Sequence, residues 1–177
     1  MSVDSQQLPP FSRLFEELFQ RQVQFTLFKG LDRIDAVLGG AQGDIDILLQ
    51  AEMGTEVKSA FRVAGFYQDL DAIDQLEPTV TVYRAFDPES AHFVMVHAYE
   101  QLLLGDRMQF RYGYESDLLL TSKERNGYRV VAPAHEWLIR AFNDLAKRNF
   151  DDPYLVSLGA MIGTDNSMLN AGLHRFV

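Results

Sequence analysis

The run Gly43-Asp44-Ile45-Asp46-Ile47-Leu48-Leu49 constrains this chain more than any other seven residues in it. Isoleucine and leucine in a short, unbroken apolar stretch favour an extended strand, and successive side chains of a strand point to opposite faces. Asp44 and Asp46 therefore share one face, and Ile45 and Ile47 share the other. Two like charges held close together on an apolar strand are unfavourable unless positive charge lies between them. A divalent metal with oxygen ligands, Mg²⁺ (or Mn²⁺) carrying a substrate's phosphates, meets that need. A pair that caps an exposed strand end and faces water meets it too, and the spacing alone leaves both open.

The flanking segments supply the rest of a small mixed fold. Phe11, Leu14, Phe15, Leu18 and Phe19 recur at helical spacing from Pro9 to Arg21, with Ser12 and Glu16 suggesting an acidic first turn. Val23, Phe25 and Leu27 alternate with Gln22, Gln24 and Thr26, the pattern of a half-buried strand running into Phe28-Lys29-Gly30. A short helix is expected over Leu31 to Leu38, closed by Gly39-Gly40. A second is expected over Thr55 to Ala64, with Gly65 and Phe66 as its cap. Thr79 to Phe86 and His92 to Tyr99 flank the turn Asp87-Pro88-Glu89-Ser90 and form a hairpin. Beyond about Leu104 the pattern turns helical, over Ser116 to Ser122, Pro133 to Arg148, and two short helices within Asn149 to Val177. The division is an N-terminal helix (1–21), an α/β core (22–104) and a mainly helical region (105–177). The fold class is α+β: a small mixed sheet flanked by helices, with a helical C-terminal part.

Composition narrows the function classes. At 177 residues the chain can bury a real core in one domain, with room for a small helical appendage. No apolar run approaches the ~20 residues that cross a bilayer, and the N-terminus lacks the layout of a signal peptide. With no cysteine there are no disulfides and no thiolate metal sites. The expectation is a cytoplasmic protein without membrane contact. A net charge of −9 argues against broad nucleic-acid binding, whose affinity comes from clustered Lys and Arg. It leaves room for a local basic pocket around a phosphorylated ligand.

Strand, glycine turn, short helix and acidic strand, in that order, resemble the nucleotidyltransferase fold of the polymerase beta type. The fit is Lys29-Gly30, thirteen intervening residues, then Asp44-Ile45-Asp46-Ile47. Gly65-Phe66, Val96-His97-Ala98-Tyr99, Gly105 and Pro133-Ala134-His135-Glu136 continue it. The set is similar to the bacterial nucleotidyltransferase-like branch with a Lys-Gly turn and a Gly-Asp-x-Asp strand, and it spans about residues 25 to 148. The resemblance implies Asp44 and Asp46 as catalytic metal ligands for Mg²⁺, and Lys29 and Gly30 as phosphate contacts. It implies transfer of a nucleotidyl group from an NTP to an unknown acceptor. Lys29 stands where the superfamily commonly has Gly or Ser, and it serves equally as a partner for the acids. Active members usually carry a third carboxylate on a later strand. Here that strand reads His92-Phe93-Val94-Met95-Val96-His97, so His97 takes the position as an auxiliary catalytic residue. The reading leans to an enzyme. Its alternatives are an inactive protein of the same fold that binds a nucleotide or phosphorylated ligand, and an antitoxin-like partner in an oligomer or protein complex.

Overall fold

The computed structural model describes residues 8–70, 80–104 and 110–147. Helix α1 (Pro10–Gln20) begins with proline at its first position, where the missing N–H is no loss, and buries Phe11, Leu14, Phe15 and Leu18. Its first turn carries no acid. The helix starts at Pro10, close to the expected Pro9, and that start leaves Glu16 in the second turn rather than the first. Strand β1 (Phe25–Lys29) leads to α2 (Ile34–Leu38), β2 (Asp44–Leu49), a 3-10 turn at Ala51–Met53, and α3 (Gly54–Val63). Next come β3 (Tyr67–Gln68), β4 (Val80–Asp87), β5 (His92–Tyr99), β6 (Leu103–Leu104) and β7 (Phe110–Arg111). The described chain closes with α4 (Glu115–Thr121), β8 (Lys123–Arg125), β9 (Tyr128–Val130) and α5 (Pro133–Ala146).

Seven strands form one mixed sheet in the order β3-β4-β5-β2-β1-β9-β8, and β6 pairs with β7 separately. β2 runs parallel to β5 and antiparallel to β1, while β9 runs parallel to β1. Lying between β2 and β9, β1 is covered on both faces and all its residues except Lys29 are buried. The expected half-buried strand is therefore a central one. Thr26, fully buried, keeps its hydroxyl satisfied on the carbonyl of Leu27 (3.3 Å).

One face of the sheet packs on α1 and α3. Phe15 stacks on Phe25 (ring centres 5.7 Å apart), and Phe61 stacks on Tyr83 at 4.0 Å. The turn after α3 closes as expected, with Phe66 N–H donating to the Phe61 carbonyl oxygen (2.8 Å). Gly43 is required for space. A Cβ there would lie 2.8 Å from Cγ2 of Val37, so its absence lets α2 seat on the start of β2. α4 lies against β1 and β2, and α5 against β1 and β6. Phe28 meets Tyr99 edge-on at 5.0 Å on that opposite face, beside Ile139 of α5.

The start of α2 and the region after residue 104 differ from expectation. The helix expected to start at Leu31 starts at Ile34, so a turn closed by Arg33 N–H on the Gly30 carbonyl (3.0 Å) succeeds β1 instead. The region after residue 104 also supplies β8 and β9 to the main sheet, anchored to α2 by Arg125 and Tyr128, which both bond to Asp35. The two short helices expected in 149–177 lie outside the described residues, as does Gly105. No helix among the described residues is long and apolar enough to cross a membrane.

Candidate functional site

The sheet register brings the acidic residues and His97 together. Asp46 is the cross-strand partner of Lys29 on β1 and of His97 on β5, while Asp44 is opposite Met95. Side chains opposed in register share a face, so both carboxylates, the imidazole and the Lys29 ammonium converge at the end of β1. Nδ1 of His97 lies 3.2 Å from Asp44 Oδ2 and 3.5 Å from Asp46 Oδ1. Lys29 Nζ lies 3.6 Å from Asp46 Oδ2. Asp44 is open to solvent, Asp46 is buried, and His97 lies between these extremes.

The electrostatics reflect that geometry. Hydrogen bonding to His97 holds the Asp44 carboxyl below its usual range against the opposing effect of burial. Close contact with Asp44, and then with Asp46, pushes the His97 imidazole up to about 9, so it carries a proton at neutral pH. Tyr99, two residues along β5 and on the same face, has its hydroxyl pushed well above the normal phenol range. Burial is the main cause, and the two carboxylates add to it.

Asp44, Asp46 and His97 each offer one ligand atom, and the three atoms lie within 4.8 Å of one another. Oδ1 of Asp46 is buried, and beyond its long contact with His97 it accepts no hydrogen bond. A buried carboxylate oxygen held only by one long contact is poorly satisfied, and an ion is the kind of partner that would complete it. Two carboxylates and an imidazole suit Mn²⁺ or Zn²⁺ at least as well as Mg²⁺, which prefers oxygen donors. The residues present fit a divalent cation.

Gly30 turns the chain away from this cluster with φ of +68°, a left-handed conformation that glycine adopts without strain. Space does not demand it, since a Cβ there would meet nothing within 4 Å. α2 is short and begins four residues later, so β1 leads into the turn itself rather than into a helix N-terminus.

The turn opens on a cleft of about 420 Å³ between the end of β1 and α5. Lys29, Arg33, Arg140 and Lys147 line it together with Asp32, Glu136 and Asp144. Phe28, Tyr99 and Ile139 form its apolar floor. Glu136 Oε1 accepts a hydrogen bond from Leu31 N–H (3.1 Å), and burial raises its carboxyl above the ordinary range. From sequence, capping of α5 accounts for Glu136. In the fold it ties α5 to the glycine turn instead. Its signal was the Pro133…Glu136 spacing, and that of Tyr99 was its two-residue offset from His97 on one strand face. Glu100, the remaining acid near β5, lies past the strand's end and outside the cluster.

No family model matches the chain, and no curated protein matches it significantly. A solved structure, the lincosamide antibiotic adenylyltransferase LnuA with lincomycin bound, is similar over 81% of this chain and 95% of its own. The identity is 16% and the TM-score 0.44, a likeness that identifies neither family nor activity.

Proposed function

We propose that the protein is a metal-dependent nucleotidyltransferase that moves a nucleotidyl group from an NTP to a hydroxyl acceptor. The observation that supports this best is the meeting of Asp44, Asp46 and His97 at the Lys29-Gly30 turn, where a cleft with four cationic side chains begins. A bound Mg²⁺ or Mn²⁺ would neutralise the phosphates and lower the barrier to displacement at phosphorus. Asp44, Asp46 and His97 are the residues that would hold it. His97 must release its proton to serve as a ligand, because only the neutral ring has a free lone pair on Nδ1.

The chain's own groups have distinct tasks. Lys29 binds phosphate as a point charge, and Arg140 and Lys147 on α5 extend that positive field along the cleft. Phe28 and Tyr99 form the apolar floor and limit access of water. The acceptor oxygen bonds to the α-phosphorus as the bond to the bridging oxygen breaks, and pyrophosphate leaves toward Lys29. The acceptor's proton passes to a carboxylate oxygen of the Asp44–Asp46 pair that is not engaged as a ligand.

A second reading has its own supporting observation. His97 and Lys29 already supply two positive charges to the two carboxylates, so the cluster is balanced without an ion. That balance favours a protein of this architecture that binds a nucleotide or phosphorylated ligand without turnover. Calorimetric titration with Mn²⁺–ATP and the other NTPs, together with pyrophosphate release, separates the two. The enzyme reading expects saturable metal–nucleotide binding that is lost in Asp44→Ala/Asp46→Ala, and pyrophosphate release on mixing with acceptors. Binding without release over a broad acceptor panel selects the second reading, and no NTP binding removes the enzyme reading and the nucleotide form of the second.

A further inference from the structure

The face of the sheet that carries Asp44, Asp46 and His97 does not end with them. β2 begins at Asp44, opposite Met95, so the first residues of β5 and the last of β4 reach past the acidic pair. Phe93 lies two residues before Met95, about 7 Å further along the strand. It pairs across strands with Phe86, and the rings meet edge-on at 5.6 Å. Arg84, opposite Met95, and Phe86 alternate outward on β4, and Tyr67 is the partner of Arg84 on β3. Phe86 is 52% exposed, Phe93 66% and Tyr67 71%.

An exposed aromatic pair can simply stabilise its hairpin, though only weakly. Leaving two phenylalanines half or more exposed forgoes part of the gain of burying them, and contiguous exposed aromatics mark binding surfaces more often than isolated ones do. Position decides between these. The pair shares the face of the acidic cluster and is continuous with it through Met95.

In-line displacement at phosphorus puts the attacking and leaving oxygens on opposite sides. Under the function proposed above, on which this inference rests, Lys29, Arg140 and Lys147 fix the leaving side next to β1 and α5. Attack must then come across β5, from the side where Phe86 and Phe93 project.

We infer that the outer face of the β4–β5 hairpin is the acceptor platform, and that it takes a small hydroxyl compound with an apolar, ring-bearing face. Phe86 and Phe93 stack on the ring, and Met95 adapts between the platform and Asp44. The acceptor's hydroxyl reaches the α-phosphorus over His97. Phe86 and Phe93 are specificity-determining residues that position the acceptor and touch no phosphate.

The test uses the full chain and two probes, 2-(2-naphthyl)ethanol and methyl glucoside, with affinity measured by ligand-observed NMR. The wild type is expected to bind the naphthyl probe and not the glucoside. Phe86→Thr/Phe93→Thr, which keeps β-forming residues at exposed positions, should bind the naphthyl probe about tenfold more weakly with an unchanged melting curve. Adding Mn²⁺ should broaden the bound probe's proton lines in the wild type. Equal binding of both probes, equal binding by the variant, or no broadening overturns the inference. So does a concentration-dependent dimer in sedimentation that the double variant abolishes, since a second copy would then occupy the face. Wild-type Mn²⁺–nucleotide titration reads the underlying function separately. If it fails while the naphthyl probe still binds, the function falls and the acceptor role with it; if it succeeds and the probe does not bind, only the platform falls.

Discussion

Replacing His97 with glutamine in metal-free protein should destabilise the fold in a pH-dependent way. Glutamine preserves most of the volume and a hydrogen-bond donor but removes the positive charge that faces Asp44 at 3.2 Å and Asp46 at 3.5 Å. A rise in the imidazole from 6.5 to about 9 corresponds to an upper bound near 3 kcal/mol. Asp44 is 45% exposed, so solvent screens its share, and the expected loss is about 1–2 kcal/mol. In a chain of this length that lowers the melting temperature by about 3–6 °C. The sign is fixed by linkage: a raised folded-state value stabilises fully below about 6.5 and loses that contribution as pH climbs through about 9. Thermal melts of both proteins in EDTA should therefore differ most at pH 6 and converge near pH 10. A gap that stays constant from pH 6 to 10, or a variant more stable than wild type at pH 6, would refute the charge-balance argument.

Other outcomes rest on single contacts. Gly43→Ala should cost about 1–3 kcal/mol in urea unfolding, because its Cβ would press on the buried Val37 that seats α2. Gly127→Val should cost about 1–2 kcal/mol, since φ is +83° there in the β8–β9 turn, and proteolysis should show cleavage in that hairpin first. Glu136→Ala leaves the Leu31 N–H without its acceptor and frees the glycine turn from α5. It should weaken nucleotide binding about tenfold by calorimetry while changing the melting temperature by only a few degrees.

The parts of the fold that sequence exposed best were those with strong periodicity. The helical spacing of Phe11 to Leu18 and the alternation of Asp44 to Ile47 translate directly into α1 and β2. β1 misled because Gln22 and Gln24 lie ahead of the strand. Within it, Thr26 is polar yet buried, so alternation in polarity did not track burial. The β8–β9 hairpin did carry a signal: Asn126-Gly127, both with positive φ, is a strong mark of a two-residue hairpin turn. Its strands are three residues long, all charged in β8 and Tyr-Arg-Val in β9, too short to register as a period. At the site, Asp44 and Asp46 can be paired from local spacing. Their meeting with Lys29 and His97 depends on strand order and register, which are set by long-range pairing. The exposed aromatic face was invisible for the same reason, because Phe86 and Phe93 look like core residues until the strand register turns them to the exposed side of the hairpin.

The central claim is that Asp44 and Asp46 form a metal site. Electron paramagnetic resonance of Mn²⁺ titrated into the full chain with a non-hydrolysable NTP analogue tests it directly. One bound ion per chain in the wild type, absent in Asp44→Asn/Asp46→Asn at an unchanged fold, is the predicted result. A Mn²⁺ signal from the wild type identical to that of the double variant would contradict it.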